Sequence, residues 1–232
     1  MKIDTAVVLA GGQGDRLKPL TNDVPKAMVE IKNKPLLQWI VEWLRNYNVK
    51  EIVLGVAYLK EKIMDYFGDG ARFGVNIRYS VHTVEGGTAE GFRLAISRYV
   101  DRDVFFALNG DQITSIDLND LASFHLKGNS IATMAVANLC CPYGHVEIND
   151  KHNVVGFVEK PVCLHMSCNT GIYVFSREIL KYLPDTGDIE KTTFLSLAKS
   201  NLLKAYPYNG IFVTVNTHKD LVEVKKQFGD AE

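Results

Sequence analysis

The sequence predicts an α/β fold, a parallel sheet with helices packed on its faces. Over the first hundred or so residues, apolar β-branched runs alternate with amphipathic ones in the order strand, helix, strand, helix, strand. Successive strands lie roughly a dozen or more residues apart, which suits helical crossovers rather than hairpins. The chain has 232 residues, enough for one large domain with a full core and short for two.

Each element follows from local pattern. Residues 5–10 are β-branched and apolar, as a strand buried on both faces should be, and the run stops at Gly11-Gly12. Residues 35–47 put Leu36, Leu37, Ile40, Val41 and Leu44 on one helical face, with Pro35 in the first turn. Residues 51–56 form a second strand, 59–67 a short helix, and Gly68-Asp69-Gly70 a turn. Residues 75–81 alternate Val75, Ile77, Tyr79 and Val81 with polar neighbours, giving a third strand. A loop through 85–91 opens a helix reaching Tyr99, and the apolar strand 104–108 ends at Asn109-Gly110-Asp111. From Ile131 the character changes to strands joined by turns, at 131–137, 144–148, 154–159 and 171–175, with 149–153 as a hairpin connection. Helices at 177–183 and 188–200, strands at 202–208 and 211–215, and a last helix capped by Thr217 with Asp220 three residues on complete the chain.

Composition narrows the function. Hydrophobic residues make up 47% and charged residues 23%, the proportions of an ordinary soluble globular protein. A formal net charge of −1 supplies no long-range attraction to nucleic acid or to an anionic membrane, so a bound polyanion must be held by a local site. The first strand begins within a few residues of Met1, leaving no room for a signal peptide, and no apolar run approaches the length of a membrane span. A cytoplasmic location is expected, with Cys140, Cys141, Cys163 and Cys168 as reduced, buried thiols.

Two stretches carry chemistry. In Gly11-Gly12-Gln13-Gly14, three glycines in four positions let backbone N–H groups turn toward an anion without Cβ atoms in the way. Arg16 adds a fork suited to bidentate phosphate contact and Lys26 a point charge, so a polyphosphate fits this loop. The spacing is neither G-x-G-x-x-G nor G-x-x-x-x-G-K-[ST], which disfavours the two commonest phosphate loops. A lone glycine-rich turn can also be only a tight strand-to-helix connection, and Asp111 only a turn aspartate. Ligands of open α/β sheets bind beyond the carboxyl ends of the strands, however, and that is where both the glycine loop and Asp111 fall. A triphosphate arrives as a magnesium complex, and magnesium asks for one or two protein oxygens, of which Asp111 supplies the first.

Residues Leu9, Ala10, Gly11, Gly12, Gly14, Arg16, Leu17, Pro19, Leu20 and Thr21, followed by Pro25-Lys26, resemble the L-A-G-G-x-G-x-R-L-x-P-L-T…P-K signature of the sugar-1-phosphate nucleotidyltransferases. The resemblance extends along the chain. Gly87-Thr88-Ala89 is similar to the family's G-T-A, which closes over nucleobase and ribose. Glu159-Lys160-Pro161 is similar to an E-K-P whose lysine contacts the sugar phosphate and whose glutamate contacts sugar hydroxyls. Asn169-Thr170-Gly171-Ile172-Tyr173 resembles N-x-G-[IV]-Y, where the asparagine reads the sugar, and Tyr143-Gly144 resembles a Y-G whose glycine lies against it.

The resemblance implies a Rossmann-like nucleotidyltransferase fold, three-layer α/β/α with a mostly parallel mixed sheet and a small antiparallel sugar-binding section. It divides a single domain into a nucleotide-binding half, 1–130, and a sugar-binding half with closing helices, 131–232. The implied reaction joins an NTP to a sugar 1-phosphate, giving NDP-sugar and pyrophosphate, with Mg2+ as cofactor. Arg16, Lys26 and Asp111 are then catalytic, and Leu9, Ala10, Gly11, Gly12, Gly14, His82, Gly87 and Thr88 line the nucleotide. Asn109, Gly144, Glu159, Lys160 and Asn169 bind the sugar phosphate. No nucleic acid and no membrane is implied as partner, and a homo-oligomer is left open.

The chain departs from the family at two points. Most members have W-x-D-[IV]-G-T, whose aspartate is the second metal ligand, and Thr214 stands in that column. Val215-Asn216 matches the V-N-[ND] of the N-acetylglucosamine-1-phosphate uridylyltransferases, which makes Asn216 the expected second ligand. The base-reading position, five residues before Gly87, is His82, where relatives carry glutamine for a pyrimidine or glutamate for guanine. A neutral imidazole offers one donor and one acceptor, which suits thymine or uracil better than guanine, with selectivity weakening as pH falls through about 6.5. Two alternatives stand beside this reading: a cytidylyltransferase acting on a phosphorylated alcohol such as phosphocholine, and a non-catalytic paralogue that binds NDP-sugar.

Overall fold

The computed structural model describes residues 2–141 and 143–227. Its first half builds β1 (Thr5–Leu9), a small hairpin of β2 (Glu30–Ile31) and β3 (Lys34–Pro35), α1 (Leu36–Asn46), β4 (Glu51–Val56), α2 (Lys60–Phe67), β5 (Asn76–Val81), α3 (Gly87–Tyr99) and β6 (Val104–Asn109). There follow β7 (Gln112–Thr114), α4 (Leu118–Leu126), β8 (Ala132–Cys140), β9 (His145–Ile148), β10 (Val154–Val158) and β11 (Val162–Ser176). The chain ends in α5 (Thr193–Lys199), β12 (Leu203–Tyr208), β13 (Phe212–Thr214) and α6 (His218–Gln227).

Seven strands form one sheet in the order β12-β8-β11-β6-β1-β4-β5. All its pairings are parallel except those of β11, which runs antiparallel to both β6 and β8. The expected mostly parallel mixed sheet is therefore present, as are the three layers. Successive side chains of a strand point to opposite faces, so Ala6 and Val8 join one apolar cluster while Val7 joins another. The first cluster takes Leu37, Ile40, Val41 and Leu44 of α1, Ile63 and Phe67 of α2, and Leu118 and Leu121 of α4. The second takes Phe92 and Ile96 of α3 and Phe194 and Leu197 of α5, against Tyr173 and Phe175 of β11. Each fully buried leucine, isoleucine or phenylalanine contributes roughly 1.5–3 kcal/mol. Two helical faces on one sheet follow from that demand.

A third cluster positions the site. Leu17, from the turn after the glycine loop, packs with Val29, Ile31, Leu36, Ile113, Val215, Leu221 and Val224. It ties the glycine loop to β7, in the middle of the chain, and to β13 and α6, near its end.

The structure departs from the pattern-based reading in five places. Residues 112–126, left unassigned by pattern, hold β7 and α4. Asp117 caps α4, its carboxylate accepting from the N–H groups of Asn119 and Asp120 at 2.8 and 3.1 Å, and Leu118, Leu121, Ala122 and His125 form its buried face. The strand expected at 171–175 is the end of the much longer β11, whose register with β8 shifts twice, so strict alternation is lost along its first part. Residues 177–182 form a 3-10 helix, and the helix expected over 188–200 spans only Thr193–Lys199 because residues 187–190 bond to the start of α3. Cys141, Cys163 and Cys168 are half-buried, which corrects the expectation of buried thiols; the side chain of Cys140 lies outside the described residues. The expected antiparallel section is β9 and β10, a two-stranded ribbon whose Ile148, Val154 and Phe157 are each more than 60% exposed.

His125 gives the fold an acid limit. It is 4% exposed, its Nδ1 lies 2.8 Å from Thr133 Oγ1, and burial lowers its pKa to about 4. The unfolded chain, with the usual value near 6.5, binds the proton first, so stability is full above pH 6.5 and falls as pH drops toward 4. Urea unfolding across that range is expected to show this loss in the parent, and His125→Gln is expected to remove up to one proton from the pH slope.

Candidate active site

Parallel register levels the strand ends. Leu9 pairs with Gly55 on one side and Asn109 on the other, so β1, β4 and β6 stop at one edge of the sheet. The glycine loop, the 82–88 loop and Asn109-Gly110-Asp111 therefore open at the same edge, and Gly110 N–H closes onto Leu9 O at 2.8 Å. Between them lies a cleft of about 270 Å³, lined by Leu9, Ala10, Gly11, Gly12, Lys26, His82, Gly87, Thr88, Asn109 and Asp111 among others. Ten of the sequence-derived candidates thus share one cavity.

The loop is held from outside and left open inside. Gly14 adopts φ +70, the left-handed conformation that glycine accommodates without strain. Its carbonyl accepts from Thr21 Oγ1 at 2.8 Å and from Leu17 N–H at 2.8 Å, and the Tyr58 hydroxyl donates to Asn22 O at 2.8 Å. Among the described residues, the N–H groups of Gly11, Gly12, Gln13 and Gly14 donate to no protein acceptor. A Cβ on Gly12 would meet nothing within 4 Å, so open space stands where the loop faces the cleft. Free donors around open space are what an oxyanion needs.

Beside the loop three chain segments meet at one point. Lys26 Nζ donates to Asp111 Oδ2 at 2.6 Å and to Asn216 Oδ1 at 2.6 Å, and Arg16 Nη2 donates to the same Asn216 oxygen at 3.3 Å. The antiparallel pairing of β7 with β13 puts Thr214 opposite Gln112, and Val215 N–H donates to Asp111 O at 3.0 Å. Asn216 is thereby aimed at Asp111, whereas Thr214 lines a different cleft. Asp220 fixes the turn: its Oδ2 accepts from the N–H groups of Asn216 and Thr217 at 3.0 and 2.9 Å, and Thr217 Oγ1 accepts from Asp220 N–H at 3.2 Å. The anticipated Thr217–Asp220 capping box is thus also the brace behind Asn216.

Magnesium prefers hard oxygen donors and keeps several waters or phosphate oxygens. One carboxylate and one amide oxygen that reach a common cation fit that requirement. No group of three or more His, Cys, Asp or Glu side chains with metal-site geometry occurs among the described residues.

On the opposite wall, His82 Nε2 would lie 2.7 Å from a Cβ placed on Gly11 and 3.3 Å from one on Gly91, so the ring sits in a niche that these glycines leave free. Burial lowers its pKa, opposed by the Ser80 backbone and by Glu90, and its Nδ1 is buried without a partner. Thr88, expected at the nucleotide, spends its hydroxyl inside the protein, donating to Glu190 Oε2 at 3.0 Å and accepting from Ile189 N–H at 2.9 Å. With Ala89 N–H donating to Gly187 O at 2.8 Å, it clasps the start of α3 to the 187–190 loop. That loop brings Asp188 into the cleft, a residue no sequence pattern had singled out.

The five sugar-side candidates are not gathered in one cavity. Asn109 lines the first cleft, and its buried Oδ1 has no partner. Asn169 holds the β11 bulge, its Oδ1 accepting from Gly171 N–H at 2.8 Å and its Nδ2 donating to the Tyr173 hydroxyl at 2.8 Å. Lys160 lines a second, wider cleft of about 1020 Å³ with Asn138, Cys168, Thr214 and Asp220 among others. Gly144 and Glu159 approach each other at the ribbon, where a Cβ on Gly144 would come within 3.2 Å of Glu159 Oε2.

The nucleotidyl transferase family matches residues 5–230. The chain belongs to that family. A UTP–glucose-1-phosphate uridylyltransferase of Synechocystis sp. is 35% identical over 197 residues, covering 77% of this chain and 50% of that protein. A mannose-1-phosphate guanyltransferase of Gibberella zeae is 36% identical over 225 residues, covering 93% of this chain and 62% of that protein. The chain thus spans about half to three-fifths of the length of these curated relatives. Among solved structures, HddC from Yersinia pseudotuberculosis superposes with a TM-score of 0.76 at 26% identity, covering 97% of this chain and all of that one, and has also been solved with GMP-PN. Asp220 stands directly behind Asn216 in this arrangement. Asp220→Ala is expected to cost about 1 kcal/mol of stability in urea unfolding, the usual value of a lost helix cap. The same variant is expected to loosen Asn216, seen as larger chemical-shift and relaxation changes at Asn216 than at Thr114 in backbone NMR.

Proposed function

We propose that this nucleotidyl transferase joins an NTP to a sugar 1-phosphate, giving NDP-sugar and pyrophosphate. The observation that carries the proposal is the meeting of Lys26, Arg16, Asp111 and Asn216 beside a cleft rimmed by free loop N–H groups. The names of the relatives support the same class: a uridylyltransferase on glucose 1-phosphate and guanyltransferases on mannose 1-phosphate. Residues 1–130 supply the nucleotide side and 131–232 the sugar side of one domain.

No side-chain nucleophile is required. An oxygen of the sugar phosphate attacks the α-phosphorus in line, and the bond to the β-phosphate oxygen breaks, so catalysis reduces to positioning and charge neutralisation. The loop N–H groups of Gly11, Gly12 and Gly14 cradle the phosphates, and Arg16 and Lys26 take up charge on the departing pyrophosphate. Lys160 holds the incoming sugar phosphate, with Glu159, Asn109, Asn169 and the Gly144 backbone toward the sugar. Asp111 and Asn216 would hold Mg2+, which when bound neutralises charge on the phosphate oxygens. Cytidylyl transfer to a phosphorylated alcohol would use the same loop but leave Lys160 and Glu159 without a role. Pyrophosphate release from UTP, dTTP, GTP and CTP with a panel of sugar 1-phosphates and phosphocholine tests the assignment, and release with phosphocholine alone would overturn it.

The metal assignment predicts an order among variants. Asp111→Ala is expected to lose on the order of 10²-fold to 10³-fold in kcat, as preorganised electrostatic partners do. Asn216→Ala is expected to raise the magnesium requirement more than Thr214→Ala, read as the Mg2+ concentration at half-maximal rate. The reverse order would remove Asn216 from the metal site.

For the base, the neutral His82 ring supports a pyrimidine, while GMP-PN in HddC and the guanyltransferases among the relatives favour a purine for those proteins. Because burial lowers the His82 pKa, any loss of its acceptor falls at lower pH than the free side chain would give. The ratio of kcat/KM for UTP over GTP is therefore expected to decline at lower pH than the usual histidine range of about 6.5 would give. A GTP preference retained in His82→Ala would refute the assignment of His82 as base reader.

A further inference from the structure

Lys26 is the feature that the reaction as described does not exhaust. Its ammonium is bonded at 2.6 Å to each of the two oxygens, Asp111 Oδ2 and Asn216 Oδ1, that the reading above gives to a divalent cation. Its side chain is 13% exposed, and Arg16 approaches from the solvent side with a second positive charge on the Asn216 oxygen. A divalent cation coming alone would have to bind against these charges, and at such short range like charges repel strongly even when partly screened. A nucleotide changes that balance, because its phosphate oxygens offer the ammonium another partner. The lysine is also joined mechanically to the phosphate loop: a Cβ on Gly14 would lie 3.0 Å from Lys26 Cβ, so the base of its stem rests on the loop backbone.

We propose that Lys26 is a resident counter-cation of the Asp111/Asn216 pair, which closes the pair to free divalent metal and opens it only when a polyphosphate draws the ammonium away. This deepens the nucleotidyl-transfer reading and rests on its assignment of the oxygen pair. Metal and nucleotide then bind with positive coupling, and by linkage each raises the affinity of the other by the same factor. In the free protein the ammonium also keeps the two oxygens from repelling each other, so the site stays assembled while empty of metal.

The test is Mn2+ binding to nucleotide-free protein, followed by the EPR signal of free Mn2+. Lys26→Met is expected to bind Mn2+ at least tenfold more tightly than the parent, Lys26→Gln to change in the same direction, and Asp111→Asn added to Lys26→Met to erase the gain. Equal affinity in the parent and both lysine variants would overturn the proposal, as would a gain that survives Asp111→Asn. Should neither variant fold, the parent alone decides: the Lys26 ammonium resonance in nitrogen-edited NMR is expected to persist in millimolar Mg2+ and to shift only when nucleotide is added. A shift with Mg2+ alone would overturn the proposal. A protein that transfers no nucleotidyl group but shows the Lys26→Met gain keeps the lysine's role and defeats only the assigned reaction.

Discussion

Everything in the site hangs on one ammonium group with two oxygens around it. Lys26 reaches Asp111, 85 positions along the chain, and Asn216, 190 positions along, and so joins three distant segments at one point. The rest of the architecture can be understood as support for that meeting. The register of β1 between β4 and β6 brings the loop and Asp111 to one edge, the β7–β13 pair carries Asn216 across to it, and the Leu17 cluster fastens loop and pair together. A buried or half-buried charge is costly unless compensated, and here the compensation is mutual, so the site is polar without being strained.

Much of this was legible in the chain because it is written locally. The run 5–10 followed by glycines fixes a strand and a loop, and alternation at 75–81 fixes another strand; both lie within one or two residues of their observed bounds. Asn216 was legible only through the resemblance carried by Val215-Asn216; in the structure the β7–β13 pairing sets Thr214 opposite Gln112 and Asn216 shares the Lys26 ammonium with Asp111. What was not legible depended on partners distant in sequence. The start of β11 reads as irregular because its register slips against β8, and residues 188–192 read as helix until Gly187 and Ile189 are seen to bond to the beginning of α3. Thr88 and Asn169 belong to the same class, for both have the residue type of a ligand contact and both give their polar atoms to neighbouring loops or strands.

The two sides of the molecule differ in how firmly they are built. The cleft opens at the ends of β1, β4 and β6, which lie in a sheet with helices on both faces and are almost wholly buried. The ribbon of β9 and β10 has no such backing. Two strands alone are marginal in water, and an open ribbon leaves two unpaired edges. Lys160 and Glu159 lie just beyond it, so contacts made there are set by a segment with little packing to hold it, in contrast to those made by Arg16 or Lys26.

The niche around His82 ties Gly11, His82 and Gly91 into one steric unit. A side chain at Gly11 or Gly91 would strike the imidazole, and the ring in turn fills the space under the phosphate loop. A much smaller residue at 82 would leave a void beneath the loop, and a larger one would lift Gly11 and tilt the phosphate cradle. Substitution at position 82 is therefore confined to residues of about the bulk of histidine, and a change there cannot be separated from a change in how Gly11 and the loop it opens are seated.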